Sequence, residues 1–440
     1  MKKIIYLLIL STFCATIAAQ TDTLKLSLDR AIQLGLTNRF DVKKESLNIN
    51  AAKNNVVKSK KELLPDLSAS GKTTYYGDVQ PSIIPAGYLG FTEPEKIAIG
   101  MKNNTAFALD LTYTIYKPGL YTDIKIAENN LVLEKEKNRY TILNTKIEIT
   151  TAYYNLLLKR LQNEIAKMNE QRYKEYDDLA NGKYHNGAMI ESDVMQAQLD
   201  YKNAQTNAEK QNQDYLLSLQ NLKYNINMPA QTVIIPTDSL QAMENSNSIV
   251  DLSANSVSNR SELKQLFIEQ NGYTLQLGKT RQNYLPTLSL FGNYTQLFQG
   301  PDFNYSNSFY WAPVNYVGVK LSIPITGSIR NTNEVNDFKI KIAQANFEIK
   351  QEVVTIQYEI QEAITNLLNA EKNLQESQNN YNLSQKLYEL KKQQYGLGSF
   401  SYENLLDTEK SLSTSEQEYI TAVYDLLVAK INYQKAIGKY

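Results

Sequence analysis

Side chains equipped for chemistry are few in this sequence, and their spacing sets up no catalysis. Gly278-Lys279-Thr280 has the ending of a phosphate-binding loop. The leading glycine of that motif would fall at 273, where Tyr273 stands, and the segment reads as mid-helix. His185 is the one histidine and Cys14 the one cysteine. Carboxylates alone remain as metal ligands, and they show no clustered ligand spacing, so neither a metal nor a cofactor is expected. What the chain offers instead is charge at marked places. Asp177 and Asp178 come just before a Gly-marked break, and Lys391 and Lys392 just before another. Repeated around a constriction by several copies, the carboxylates would favour cations and hold a mouth through salt bridges, with the lysines as counter-charges. As solvated helix ends they would do neither. His185 lies on the first break, where a pH role and a plain exposed loop residue are both open.

Long helices must position these groups. Neither Gly nor Pro occurs from Leu120 to Asn181, from Ala188 to Met228, from Ile329 to Tyr395, or from Ser399 to Ile437. Gly and Pro normally punctuate globular folds far more often. A helix of roughly 60 residues is about 90 Å long, three times the roughly 30 Å of a bilayer's hydrocarbon core. Leu405, Leu412, Tyr419, Leu426 and Tyr433 recur every seven residues, and so do Ile360, Leu367, Leu374, Tyr381, Tyr388 and Tyr395. Such a repeat keeps one seam on a partner helix and imposes a left-handed supercoil. The breaks at Gly182 to Gly187 and Gly396 to Gly398 make the helices antiparallel pairs. A closed bundle or a coiled-coil rod would account for the helices, but not for the strands between them.

The organisation occurs twice. Asn38-Arg39 and Leu64-Pro65 return as Asn259-Arg260 and Leu285-Pro286; Ala152, Asn155-Leu156-Leu157 and Gly187 return 211 residues later as Ala363, Asn366-Leu367-Leu368 and Gly398. Two halves in constant register mark a duplication. They are read as 20–228 and 256–440, joined by a polar, turn-rich linker over 229–255. Each half reads as helix, hairpin, long helix, helix. The first helix, about Leu28 to Leu63, follows Ser27 and lacks a full capping box because Arg30 stands three residues on.

The strands alternate. Leu67, Ala69, Gly71, Thr73 and Tyr75 oppose Ser68, Ser70, Lys72 and Thr74. Phe107, Leu109, Leu111, Tyr113 and Ile115 oppose Ala108, Asp110, Thr112 and Thr114. Leu288, Leu290 and Tyr294 oppose Ser289, Asn293 and Thr295, with Phe291 breaking the polar side; Val317, Val319, Leu321 and Ile323 oppose Gly318, Lys320 and Ser322. Each is about ten residues, the length of a tilted membrane strand. Taken alone, the strands also fit two ordinary hairpins with one face on a soluble core.

Residues 1–19 read as a secretory signal: Lys2 and Lys3, an apolar run from Ile4 to Phe13, then Ala18-Ala19. Phe13 before Cys14 is not the small residue that a lipid-anchoring signal wants. Lys plus Arg and Asp plus Glu balance at 46 each, so no nucleic-acid partner is implied. Beyond the signal no apolar run is long enough for a membrane helix, which leaves a β-barrel as the way into a bilayer. Open sheet edges cannot face lipid, and small barrels start at about eight strands. If the four strands of each chain enter a bilayer, several chains must therefore share one barrel, a count that does not by itself choose three.

Taken together, the pattern resembles the TolC-like outer-membrane channel proteins over essentially the whole mature chain. The resemblance rests on the duplicated order and on Leu28-Asp29-Arg30-Ala31 with Asn38, Leu64-Pro65-Asp66-Leu67 and Leu321-Ser322-Ile323-Pro324-Ile325. Further matches are Tyr395 with Gly398, Tyr402-Glu403-Asn404-Leu405-Leu406-Asp407, and Tyr184 with Gly187. It implies a mainly α chain with a β-barrel part, assembled as a homotrimer. A twelve-stranded barrel would sit in the outer membrane of a Gram-negative cell, above a hollow periplasmic α-barrel. It implies a periplasmic adaptor and an inner-membrane pump or ABC transporter as partners, and passive export without catalysis. On that picture Lys72, Asp110 and Lys320 line the pore unless they are plain surface charge, and Tyr75, Tyr113 and Tyr294 meet lipid or its interface. The loops Val79 to Met101 and Gln299 to Val314 lie outside the cell. Asp177, Asp178, Tyr184, Gly187, Lys391, Lys392, Tyr395 and Gly398 form the helical tips that contact the adaptor and gate the entrance. The rival expectation is a non-conducting periplasmic or surface coiled-coil scaffold.

Overall fold

The computed structural model describes residues 24–240, 257–397, 399 and 401–439. The expected signal over 1–19 with Cys14, the linker from 241 to 255, and Gly398 lie outside the described residues. In chain order the elements are β1 (Leu24–Leu26), α1 (Leu28–Asn38), α2 (Phe40–Lys61), β2 (Asp66–Tyr75), β3 (Pro81–Ile84), β4 (Glu95–Ala98) and β5 (Asn103–Tyr116). There follow α3 (Leu120–His185), α4 (Glu191–Asn225), β6 (Ile234–Pro236), α5 (Ser261–Gln282), β7 (Thr287–Gly300), β8 (Trp311–Ser322), α6 (Gly327–Gly396) and α7 (Tyr402–Ala436). They divide into two compact units, and each unit draws on both halves of the sequence. One comprises residues up to Leu47, Glu136–Gln265 and the chain from Lys350; the other comprises Asn48–Lys135 and Leu266–Ile349.

The first unit is helical. α4 and α7 are both 35 residues long; α7 starts and ends 211 residues after α4, and α6 ends 211 residues after α3. Both shorter helices stop in the same way. Asn227 (φ 52°) and Gly438 (φ 69°) are left-handed, and the N–H groups of Met228 and Lys439 reach back to Lys223 and Gln434 carbonyls at 2.9 and 3.0 Å. This closure satisfies carbonyls that the last helical turn leaves unpaired. The seven-residue series point inward: Leu405, Leu426 and Tyr433 of α7 are buried, as are Ile360, Leu367 and Leu374 of α6, and so are Ala208 and Leu222 of α4, which stand 211 residues before Tyr419 and Tyr433.

The single helix expected from Leu28 to Leu63 is two helices. Ser27 caps the first, its Oγ accepting the Arg30 N–H at 3.4 Å. Arg39 then leaves the helical conformation (ψ 135°). Its guanidinium grips both carboxylate oxygens of Asp41 and reaches Glu148 at 2.6 Å. Residues two apart do not face each other on a helix, so this fork can form only where the helix breaks. The Arg39 hydrogen bond holds the Asp41 carboxyl below its ordinary value. Arg260 repeats the arrangement with Glu262 at 2.9 Å and Glu359 at 2.7 Å, and it also donates to the Ala436 carbonyl. β1 and β6 pair in parallel, Leu24 opposite Ile234, so the part of the expected linker before residue 241 carries a strand. Tyr153, fully buried, sets its hydroxyl 2.8 Å from both the Leu26 carbonyl and Asp238.

The second unit is built on one antiparallel sheet in the order β2-β5-β7-β8. β5 pairs with β7 from Asn103 opposite Gly300 down to Tyr116 opposite Leu288, with an irregularity between Thr114 and Tyr116. The hairpins of the two halves are therefore one continuous sheet. Beyond it, β3 and β4 form a short hairpin inside the Val79 to Met101 loop. At the other strand ends Lys279 pairs with Asp123 at 2.6 Å, and Thr122 donates to Gln282 at 3.0 Å.

Candidate functional site

The register decides which side chains share a face, because residues directly opposite each other point the same way. Leu67, Leu111 and Gly292 stand in one row, and Ala69, Leu109 and Tyr294 in the next. Val319 stands beside Leu290 and Leu321 beside Leu288, on the same side. The other face carries Ser68, Asp110 and Asn293 in one row, Lys72 beside Ala106, and Lys320 beside Ser289. The three expected pore-lining residues thus share one face. Asn293 Nδ2 donates to Asp110 Oδ1 at 2.7 Å. Phe291, the apolar intruder on this side, has its ring over Gly318 of the next strand: a Cβ there would meet the ring at 2.7 Å. An aromatic side chain covering a strand glycine is a recognised way of bracing a bare backbone.

On the inner strand β5 exposure runs opposite to that of a soluble sheet, while both faces of the edge strands β2 and β8 are largely exposed. Along β5 the small and polar Ala106, Ala108 and Asp110 are half-buried, whereas Phe107, Leu109 and Leu111 are exposed. On β8 Val317 is 77% and Val319 62% exposed. The alternative of hairpins resting on a soluble core fits poorly, since among the described residues nothing covers this apolar face along the middle of the strands. An apolar outer band over a polar inner face is the pattern of a membrane barrel wall. At the loop end of the same face Phe298 is enclosed by Tyr305, Tyr310 and Trp311 at ring separations of 4.8, 6.0 and 5.4 Å. Trp311 Nε1 donates to the Tyr305 carbonyl at 2.9 Å and its ring stacks beside Phe107. Amphipathic rings gathered at one end of an apolar band are suited to the water interface of a membrane.

The helical tips are built in the first unit. α3 closes with Gly187 in the left-handed conformation (φ 70°); its N–H reaches Tyr184 O and that of Ala188 reaches Lys183 O, both at 2.9 Å. Ser399 closes the second tip alike, donating to Gln394 O at 3.0 Å. The tips meet: Lys183 Nζ lies 3.4 Å from the Tyr395 hydroxyl and 5.6 Å from its ring centre. Asp177 accepts from Asn181, Asp178 is exposed, Lys391 donates to Gln394, and Lys392 lies over Tyr388. Tyr184 stands edge-on to His185, whose Nδ1 is 2.7 Å from the Asn181 carbonyl. A β-carbon at Gly187 meets no atom but is strained by its φ, at a cost of about 1–2 kcal/mol. Gly187→Ala should therefore loosen the turn without unfolding the helices, seen as faster proteolytic cleavage between Tyr184 and Ile190.

Sequence reasoning missed the strongest polar contact here. Arg172 of α3 pairs with Glu409 of α7 at 2.6 Å, and the Tyr176 hydroxyl donates to the second Glu409 oxygen at 2.6 Å. Glu409 is 2% exposed. Burial and the neighbouring Glu409 carboxylate push the Tyr176 hydroxyl far above its ordinary range, so it stays a neutral donor. Burial works against the Arg172 cation, and the Glu409 hydrogen bond and charge more than offset it. The Tyr402 ring stands edge-on to Tyr176 at 4.9 Å; its buried hydroxyl has no partner among the described residues. A polar cavity of about 400 Å³ lies beside the pair, between α3, α4 and α7, reaching Asn169, Asp200 and Lys410. One signal existed: Glu409 is an acid one turn beyond Leu405, on the seam of α7. Among the described residues no cluster could hold a metal ion, and no helix is long and apolar enough to cross a membrane.

An uncovered apolar sheet face, a polar face behind it and long helical hairpins with joined tips define a membrane β-barrel protein of the channel type. The chain belongs to the outer membrane efflux protein family, whose profile matches residues 31–227 and 252–439. It is an outer-membrane efflux channel with a periplasmic extension. Among solved structures, CusC, described as forming a transmembrane channel, is 17% identical with a TM-score of 0.73 over 97% of this chain and 95% of that one. The Campylobacter jejuni outer membrane channel CmeC is 17% identical with a TM-score of 0.72 over 94% and 85%. The Vibrio cholerae outer membrane protein VceC is 14% identical with a TM-score of 0.71 over 93% and 96%. At such identities the likeness speaks for the fold. Among curated protein sequences there is no match.

Proposed function

We propose that this chain is the outer-membrane duct of a tripartite exporter, working as a homotrimer and catalysing nothing itself. The observation that carries the reading is the sheet: apolar outward, polar inward, and open at both edges. Among the described residues the outer edges of β2 and β8 face no strand, and lipid offers their backbone groups no partners. Joining β8 of one copy to β2 of the next satisfies both edges, and three copies give twelve strands around a lumen. The two halves, 20–228 and 256–440, each contribute a hairpin to that wall and a helical hairpin to the periplasmic part. The tips around Asp177, Asp178, Tyr184, Gly187, Lys391, Lys392, Tyr395 and Gly398 form the entrance that meets a periplasmic adaptor and, through it, an inner-membrane pump or ABC transporter. Solute moves passively, with energy supplied at the inner membrane.

Lys72, Asp110 and Lys320 line the lumen in this reading, two cations and one anion per copy. Rings of charge set which ions a pore prefers. Lys72→Glu with Lys320→Glu should reverse the sign of the zero-current potential of the purified protein in planar bilayers under a salt gradient. An unchanged potential would place these residues off the conduction path. The absence of any conductance from detergent-extracted protein, together with release from membranes by carbonate, would overturn the duct itself in favour of a scaffold.

A further inference from the structure

The apolar side of the sheet changes character at its loop end. On β5 Phe107 is 56% exposed, but Thr105 and Asn103, the next residues on the same side, are each 2% exposed. The segment between β7 and β8, residues 301–310, covers them. Asn103 Nδ2 donates to the Pro301 carbonyl at 2.9 Å. The Thr105 hydroxyl donates to that of Thr73 and lies 3.1 Å from that of Tyr305. Phe303 reaches Tyr75 of β2, with ring centres 6.3 Å apart. Thr73 and Tyr75 stand opposite Thr105 and Asn103 in the register, so all four share the face of Phe107. The loop therefore turns outward and lies across β5 and β2 on the apolar side. It does not turn inward over the face of Lys72 and Asp110.

This loop is furnished for a place poor in water. The N–H groups of Asn304, Ser306 and Phe309 donate to side-chain oxygens of Asp302, Asn304 and Asn307. Those of Tyr305, Asn307 and Tyr310 donate to the carbonyls of Phe303, Asn304 and Asn307. In water, solvent would partner these amides; at a lipid surface an unmet amide is costly, so partners within the loop are needed. Asp302 is the one charged residue over 301–310. The rings left outermost are Phe309, 86% exposed, and Phe303, 51%.

We propose that residues 301–310 are a membrane-surface anchor, whose Phe303 and Phe309 enter the outer leaflet at the level of the lipid headgroups. The occupant is lipid because the patch continues the lipid-facing band without a break, from Val317 and Phe107 through Trp311, which stacks on Phe107, to the loop. Apolar rings beside hydroxyls are the side chains that settle at such an interface. The anchor fixes how deep the wall sits and leaves the lumen uncovered by this loop. The inference rests on the outer-membrane barrel and is independent of the number of copies that close it.

The test uses the one tryptophan of the chain, Trp311. In a Trp311→Phe background, Phe309→Trp or Phe303→Trp reports the loop alone. The full-length variants are reconstituted in phosphatidylcholine vesicles, with acyl chains brominated near the headgroup as one quencher and iodide on both sides as the other. Each should lose most of its emission to brominated lipid and little to iodide. Loss to iodide alone would place the loop in water, and loss to neither would place it under another protein surface; either overturns the anchor. The unsubstituted chain separates this from failure of the barrel: its Trp311 should be quenched by brominated lipid, and the protein should float with vesicles after carbonate. A chain that washes off would overturn barrel and anchor together. Phe309→Cys labelled with a bulky polyethylene glycol maleimide should keep its single-channel conductance in planar bilayers. A fall on labelling would put the loop over the lumen and overturn the outward placement.

Discussion

Val317→Arg should remove the protein from the outer membrane, whereas Ser70→Arg should leave insertion intact. Val317 sits in the middle of β8, 77% exposed on the apolar face, in the row of Gly292 and Leu111. An arginine facing lipid near the bilayer midplane costs about 2–4 kcal/mol, and the proposed trimer would carry the cost three times. Whole-protein stabilities are only about 5–15 kcal/mol, so the assembled barrel cannot absorb it. Ser70 stands mid-strand in β2 on the opposite face, in the row of Ala108, where in the proposed duct a cation would meet lumen water. The readout is the share of each variant that fractionates with outer membranes and resists carbonate. Equal losses for both arginines would mean that the two faces are not distinguished by lipid, and the inside-out reading of the sheet would fall.

Much of this fold was legible because its signals are long. A stretch without Gly or Pro beyond 60 residues leaves little but a helix, and α6 ends where the punctuation says, while α3 runs on through Gly182 to His185. The seam residues also fell inside, because a seven-residue repeat constrains which side of a helix can be buried. Alternation read the strand faces down to Phe291 as the exception, but it failed at Ile115, where the register shifts and Tyr116 stands opposite Leu288 instead. Short or distant pairings were not legible. β1 and β6 are three residues each and pair across more than 200 positions; no local pattern predicts that. The pairing of β5 with β7 unites hairpins from opposite halves, and alternation says which face a residue takes but not which strand lies beside it. The break at Arg39 was hidden because each flanking segment has a helical composition. Only the fork onto Asp41 and Glu148 shows why the helix must stop.

The site divides along the same line. Lys72, Asp110 and Lys320 were placed on one face by counting alternate residues, which needs no knowledge of contacts. The glycine breaks pointed to where the long helices turn back, and the structure brings Lys183 and Tyr395 together there. Arg172, Tyr176 and Glu409 escaped because they lie on helices far apart in sequence, and charged residues are frequent on solvated faces. Only burial separates Glu409 from the other acids of α7. The duplication is misleading at this point: the counterparts of Arg172 and Glu409 are Leu383 and Gln198, so a comparison of the halves marks the pair as unconserved rather than as a contact.

Glu409→Ala should loosen the tips and raise the conductance of the reconstituted channel. The substitution removes the partner of Arg172 and the acceptor of Tyr176 at once. Breaking a fully buried pair costs about 3–5 kcal/mol; Arg172 keeps 28% of its side chain exposed, so solvent relieves part of this and about 1–3 kcal/mol is expected. That is enough to shift a closed tip toward open states by about 5- to 150-fold, since 1.4 kcal/mol is a factor of ten. Glu409→Gln should fall between, because its amide still accepts from Tyr176 while the charge facing Arg172 is gone. The exchanged pair Arg172→Glu with Glu409→Arg separates a latch from mere packing. It restores opposite charges across the same joint and should bring conductance back toward that of the unsubstituted protein. If Glu409→Ala leaves single-channel conductance unchanged while trimers still form, the pair holds the helices together but does not hold the entrance closed.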